Sequence, residues 1–232
     1  MKHIRKNLTC LAITMFAFAA HANSYMGTGN GEYYFGANLQ YLFIKPKAEY
    51  QDFLKAQQLG PDVYVGYRLN RVLGFEMGYG WTTRTSKDTN FVAGQTTLNN
   101  SLIIASPTNI TGKIRYKTTH FDMNGYYPIS KHIDGIVSVG VGFLRPSVNI
   151  ALNGANPDQN LYNQVGNIAG KTNAMMRFGL GFEGMLGDYW GLRSIVRYEN
   201  TRRTSVRNSG VGGSRILKDG VSVALGFYRY LD

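Results

Sequence analysis

The chain has 232 residues and a formal charge of +11, with 28 glycines, 16 tyrosines, 12 phenylalanines, six prolines and one cysteine. This length suits a single domain, and one cysteine excludes a disulfide framework. No nucleic-acid recognition motif accompanies the basic charge, so its partners are sought among anionic lipids and polysaccharides.

The first element is "MKHIRKNLTCLAITMFAFAAHANS". Lys2, Arg5 and Lys6 precede a short apolar run from Leu8 to Ala20, and Ala20-His21-Ala22 carries small residues where a signal peptidase cuts. These features predict a secretory signal peptide over residues 1–22, too short to span a bilayer. Cys10 precedes most of the apolar run, so a lipoprotein site is not read there, and the only cysteine leaves with the signal. The exported domain is expected over residues 23–232. Its charge falls to +8 on loss of Lys2, Arg5 and Lys6.

Eight runs of period-two alternation follow, each with one large apolar face. They are Tyr33–Phe43, Val63–Leu69, Gly74–Trp81, Arg115–Tyr127, Gly135–Leu144, Ala174–Gly184, Trp190–Glu199 and Gly220–Tyr230. The third reads "GFEMGYGW": Phe75, Met77, Tyr79 and Trp81 alternate with glycines and Glu76. Connections after the second, fourth and sixth runs are short. Those after the others are long: Lys45–Asp62, Thr82–Ile114, Arg145–Asn173 and Asn200–Asp219. An even strand count and alternating connection lengths predict an all-β fold, an eight-stranded antiparallel up-and-down transmembrane barrel with periplasmic turns and external loops. A soluble lipocalin-like barrel is the alternative with the same strand count. The second face mixes glycine with Arg, Glu, Asp, Asn and Tyr, which suits a narrow lumen filled by side chains. Tyr33, Tyr41, Tyr67, Tyr79, Trp81, Tyr127, Trp190 and Tyr198 are expected in the interfacial girdles.

"VYVGYRLNRVLGFEMGYGW", "FDMNGYYPIS", "FGLGFEGMLGDYWGLRSIVRYE" and "VSVALGFYRYLD" resemble strands of the small outer-membrane barrels of the outer membrane protein A transmembrane-domain and opacity-protein type. The resemblance covers the strands and not the loops. It implies residence in a Gram-negative outer membrane, with outer-membrane lipids, lipopolysaccharide and host surface molecules as partners, and a monomer. Such barrels commonly end on an aromatic residue. Here Tyr230 is followed by Leu231 and Asp232, and the chain stops at strand eight, so no peptidoglycan-binding role is carried over.

The candidate site is a lumen charge network: Arg68, Arg177, Arg193 and Arg197 with Glu76, Asp122, Glu183 and Glu199. Four charges of each sign predict internal neutrality, because confined charges need partners. The leading reading is a non-enzymatic barrel with a plugged lumen and a structural, adhesin-like or opacity-like role. A narrow pore gated by a breakable Glu76–arginine pair is the alternative. A lipid A-modifying enzyme is the third reading, with His120 and Asp122 on one strand face. The sequence contains no Gly-x-Ser-x-Gly elbow, and His120 and His132 alone have no metal-ligand spacing, so no cofactor or metal is expected. His120 reads as a lumen hydrogen-bonding group and His132 as a turn residue. Asn156-Pro157-Asp158 reads as a turn, and Asn109-Ile110-Thr111 as a chance glycosylation sequon. The fourth loop, "NTRRTSVRNSGVGGSR", places Arg202, Arg203, Arg207 and Arg215 where they face an anionic surface. Leu102-Ile103-Ile104 in the second loop needs a packing partner.

Overall fold

The alternation in the sequence becomes a closed ring of strands. The computed structural model describes residues 31–97, 102–153, 172–205 and 217–231. Its strands are β1 (Glu32–Pro46), β2 (Gln57–Arg68), β3 (Leu73–Trp81), β4 (Thr85–Phe91), β5 (Thr96–Thr97), β6 (Leu102–Ile103), β7 (Thr108–Ser130), β8 (Ile133–Asn153), β9 (Asn173–Met185), β10 (Trp190–Ser205) and β11 (Leu217–Tyr230). Eight of them close the barrel in the order β1-β2-β3-β7-β8-β9-β10-β11, and β11 pairs back onto β1. Closure leaves no unpaired edge around the ring, the condition for a sheet in hydrocarbon.

Side chains obey the parity of the pleat. Leu39, Val65, Met77, Phe121, Leu180 and Leu225 point outward and are exposed, Leu180 by 67%. Along β1 the outward positions from Tyr33 to Phe43 are all apolar. At about 3.3 Å per residue and a tilt near 40°, that run rises roughly 25 Å, the height of an outer-membrane hydrocarbon band. No described helix is long and apolar enough to cross a membrane. The crossing is made by strands.

The short connections all lie at one end of the barrel. Asn70 closes the first, its Oδ1 accepting from the backbone N–H of Val72 at 2.8 Å and Leu73 at 2.9 Å, an Asx turn. The turn expected over Pro128–Asp134 is tighter, because Pro128 pairs with Asp134 and Ser130 with Ile133.

The opposite end is taller than the alternation suggests. Strands run on into segments that read as loops in the sequence: Gln57–Asp62 belongs to β2, Thr108–Ile114 to β7 and Arg145–Asn153 to β8. β4 lines up against the top of β7, from Thr85↔Ile114 to Phe91↔Thr108. Asn109-Ile110-Thr111 is therefore ladder, with Ile110 buried. Residues 1–30, Asn156-Pro157-Asp158, Arg207 and Arg215 lie outside the described residues.

Inside this tall end sits an apolar core. Leu42 and Ile44 of β1, Ile114 and Tyr116 of β7 and Leu144 of β8 point inward and are buried. The chain after β1 folds down onto them through a 3-10 turn, Ala48–Tyr50, bringing Phe53 and Leu54 into the same cluster. The Phe53 ring lies 5.9 Å from that of Phe91. Gly112 lets the Phe53 backbone approach, since a Cβ there would collide with the Phe53 carbonyl. β4 clamps the segment from above: Lys87 Nζ donates to the Gln51 carbonyl at 2.5 Å, and Thr89 Oγ1 to that of Asp52 at 2.6 Å. Ile104, from the apolar second-loop stretch, packs into this core, whereas Ile103 is exposed. Burying a side chain of this size stabilises by about 1.5–3 kcal/mol, enough to hold a short segment in place.

Candidate functional site in the barrel lumen

Below the apolar core the interior is polar and filled. Among the described residues the buried charged ones are Arg68, Arg177, Arg193, Arg197, Asp62, Glu76, Asp122, Asp134, Glu183, Glu199 and His120. They fall into two tiers.

The tier nearer the short turns is built on Arg68 and Arg193. Arg68 of β2 donates from Nη2 to Asp134 Oδ2 at 2.7 Å and from Nη1 to Glu183 Oε1 at 2.9 Å, and also reaches the Tyr230 hydroxyl at 3.0 Å. Arg193 of β10 donates from Nη2 to Glu183 Oε2 at 2.9 Å, and from Nη1 to Glu76 Oε1 in a close ion pair. Glu183 thus bridges two guanidiniums. Tyr34 donates its hydroxyl to Glu76 Oε1 at 2.7 Å and lies 3.1 Å from the Tyr126 hydroxyl. Arg193 is surrounded by rings, with its guanidinium carbon 5.0 Å from the centroid of Tyr64, 5.4 Å from Tyr228 and 5.7 Å from Tyr34. Arg68 stacks 4.0 Å over Tyr126. Desolvated cation–π contacts of this kind contribute up to about 2 kcal/mol each.

The second tier runs as a chain across the barrel. Asn38 donates to Asp62 Oδ2 at 3.1 Å, and Asp62 Oδ1 meets His120 Nε2 at 2.9 Å. His120 Nδ1 lies 3.1 Å from Asp122 Oδ2, which accepts from Arg177 Nη1 at 2.9 Å. Arg177 Nε is 3.8 Å from Glu199 Oε1, and Ser222 donates to that same oxygen at 2.8 Å. Arg197 sits at the margin: its Nε is 3.9 Å from Asp122 Oδ2, and its Nε and Nη1 have no hydrogen-bond partner.

Register explains both the crowding and the glycines. Glu76 and Asp122 lie directly opposite each other on β3 and β7, where like charges repel. Each is paired with an arginine from another strand, Glu76 from β10 on the opposite wall and Asp122 from β9, two strands along. Bulky lumen groups face glycines on the neighbouring strand: Tyr34 faces Gly66, Tyr64 faces Gly36, Tyr228 faces Gly191 and His120 faces Gly78. A Cβ at any of these glycines would strike the opposing ring.

The eight charges singled out in the sequence are thus buried together, with Arg193 as the partner of Glu76. Neutrality is not what the described lumen shows. Asp62 and Asp134 add two carboxylates, giving six against four guanidiniums and His120. Parity signals both, since Asp62 continues the polar face of Tyr64, Gly66 and Arg68, and Asp134 that of Ser138 and Gly140. Apolar alternation alone ends the two strands too soon and leaves these residues in a loop and a turn. Arg202 and Arg203, expected in a loop, belong to β10. His120 faces two carboxylates and is buried, while Ser222 bonds Glu199, so no serine–histidine pair forms here. Among the described residues no group of three His, Cys, Asp or Glu side chains is placed to hold a metal ion.

A family model described as the OmpA-like transmembrane domain matches residues 19–214. The chain belongs to the OmpA-like transmembrane-domain family. It is accordingly a β-barrel of the bacterial outer membrane. Neisserial surface protein A is similar in structure, with a TM-score of 0.50 at 14% identity, covering 86% of this chain and 96% of that one. A major outer membrane protein from Thermus thermophilus gives 0.49 at 13% identity, over 87% and 99% of the two chains. Ail, the attachment invasion locus protein of Yersinia pestis, seen with the heparin analogue sucrose octasulfate, gives 0.46 at 12% identity, over 87% and 98%. The likeness to Neisserial surface protein A speaks to the fold alone. No curated protein matches the chain in sequence.

Proposed function

We propose that this OmpA-like barrel is a closed, non-enzymatic membrane anchor whose external face makes contacts with anionic surfaces. The observation that carries the first half is the doubly occupied interior: an apolar core fills the external end, and two tiers of ion pairs fill the rest. Among the described residues His120 and the lumen carboxylates are each at most 4% exposed, which speaks against a substrate reaching them. The second half rests on composition. The stretch from the end of β10 through the fourth connection carries Arg202, Arg203, Arg207 and Arg215 with no acidic residue among them, and such a run favours phosphate or sulfate partners. The 1–22 segment acts as the export signal in this reading.

The test is adhesion. Bacteria displaying the protein should be retained on a sulfated-polysaccharide surface in a salt-sensitive manner, and replacing the four arginines with glutamine should abolish retention while leaving the folded barrel in the membrane. Equal retention of the two strains would overturn the surface-contact reading.

One observation favours the pore as a second reading: Arg197 and Asn124 are buried with polar atoms that no protein group satisfies, which leaves hydrogen-bonding capacity for lumen water. Single-channel recording separates the two.

A further inference from the structure

The outer wall carries a feature that neither the lumen nor the fourth connection explains. Lys113, Arg115 and Lys117 occupy successive outward positions of β7, alternating with the inward Ile114 and Tyr116. Along a strand such positions are about 7 Å apart, so the three make a column roughly 13 Å tall. Arg145 of β8 is the direct cross-strand partner of Lys117, on the same face, where opposed residues have Cβ atoms about 5 Å apart. Two cations are thereby set side by side, an arrangement that destabilises a sheet unless an anion joins them. None of the four is in an ion pair with a described carboxylate, and the buried Nε of Arg115 has no hydrogen-bond partner. Asp88, the acidic residue on the neighbouring β4, accepts from the Thr111 hydroxyl at 2.6 Å.

Height on the barrel decides the kind of anion. One step below Lys117 and Arg145 the outward residues are Thr119 and Phe143, which pair with each other, and Trp81 of β3 pairs with Lys117 itself. Trp81 and Phe143 are exposed members of the apolar band, so the cations stand at its external boundary, where acyl chains give way to headgroups. Around the rest of that boundary the charge is mixed. Gln57 is the outward residue opposite Phe43, Lys45 leans over the Phe43 ring at 5.7 Å, and Asp219 accepts from the Tyr198 hydroxyl at 2.7 Å. Among the described residues, the β7–β8 wall is where four outward cations stand together, with Lys113, Arg115 and Lys117 on β7 and Arg145 on β8.

We infer that Lys113, Arg115, Lys117 and Arg145 form a binding site for the phosphate groups of an acylated, phosphorylated glycolipid in the outer leaflet, with Trp81 and Phe143 against its acyl chains. The inference rests on the outer-membrane location and not on the adhesion reading, and it survives if adhesion fails. A soluble sulfated glycan would have no use for the aromatic floor, and free phosphate would gain nothing from it.

The test uses the full barrel, folded in detergent micelles, with bisphosphorylated hexa-acyl lipid A as the probe and native mass spectrometry as the readout. Each cation near a charged headgroup is worth about fivefold in affinity, so K117Q/R145Q should weaken binding roughly thirtyfold. K45Q, on the far wall, should leave it unchanged, and removing both phosphates from the lipid should mimic the double variant. Heat-dependent gel mobility checks folding. If the double variant fails to fold, R145Q alone should still lose about fivefold. Equal binding by the wild type and the folded variant, or equal binding of phosphorylated and dephosphorylated lipid, overturns the inference. Displacement of the lipid by millimolar inorganic phosphate or by heparin would do so too, since it would mark a general anion patch.

Discussion

Replacing Arg193 with methionine puts the lumen network to its hardest trial. Arg193 is buried, uses both Nη atoms on Glu76 and Glu183, and lies among three tyrosine rings. At a separation near 3 Å and an effective dielectric constant of about 20, each pair is worth about 5 kcal/mol of gross attraction. Most of that offsets the desolvation of the ions, so the useful quantity is the cost of leaving a partner behind, about 3–5 kcal/mol for one member of a buried pair. Arg193→Met is placed at the upper end, because Glu76 would then face Asp122 across the ladder with only the Tyr34 hydroxyl to hold it. Glu76→Gln should cost less, about 2–3 kcal/mol, because the amide oxygen still accepts from Tyr34 and Arg193 keeps Glu183. The double variant should fall short of the sum by about 2–3 kcal/mol, as expected for residues in contact. The assay is guanidinium unfolding of the barrel in lipid vesicles, followed by the emission of Trp81 and Trp190, both of which face lipid. A coupling below about 0.5 kcal/mol would refute the reasoning, because it would mean that the two side chains do not meet in the folded lumen.

The glycines and the external core give two further predictions. Gly78→Val sets a branched side chain where a Cβ would already strike the His120 ring, and overpacking of this kind should cost about 1–3 kcal/mol in the same unfolding assay. Gly187→Ala, at a turn with no atom within 4 Å of the added carbon, should change stability by less than about 0.5 kcal/mol. Phe53→Ala removes a fully buried ring from the external core and should cost that core about 3–5 kcal/mol. Limited proteolysis should then cut between residues 47 and 56, while the heat-dependent mobility of the barrel stays as in the wild type.

How much of this is legible in the sequence differs from one part of the barrel to another. Parity needs only neighbours, so the outward row Phe75, Met77, Tyr79 and the inward row Gly74, Glu76, Gly78 are evident in eight residues. Where a strand stops is harder. β7 and β8 continue past the membrane with polar residues on the outer face, such as Lys113, Arg115 and Asn149, and a polar outer face looks like loop when hydrophobicity is the guide. For that reason Asp62 does not stand out as a lumen acid, nor Ile114 and Tyr116 as the wall of an apolar core. The descent of Phe53 into the barrel mouth has no local signal at all, because its partners Phe91 and Ile104 lie far along the chain. Nor does spacing select Arg193 over Arg68, Arg177 or Arg197 as the partner of Glu76. All four point inward, and the choice depends on the height each strand reaches when the ring closes.

Single-channel recording of the purified barrel in planar bilayers tests the closed interior most directly. An interior closed by the Phe53 core at one end and by the Arg193 and Arg177 tiers below it predicts no conductance steps from the wild type, and none from Glu76→Gln, in which the apolar core remains intact. Reproducible unitary steps from the wild type would contradict it.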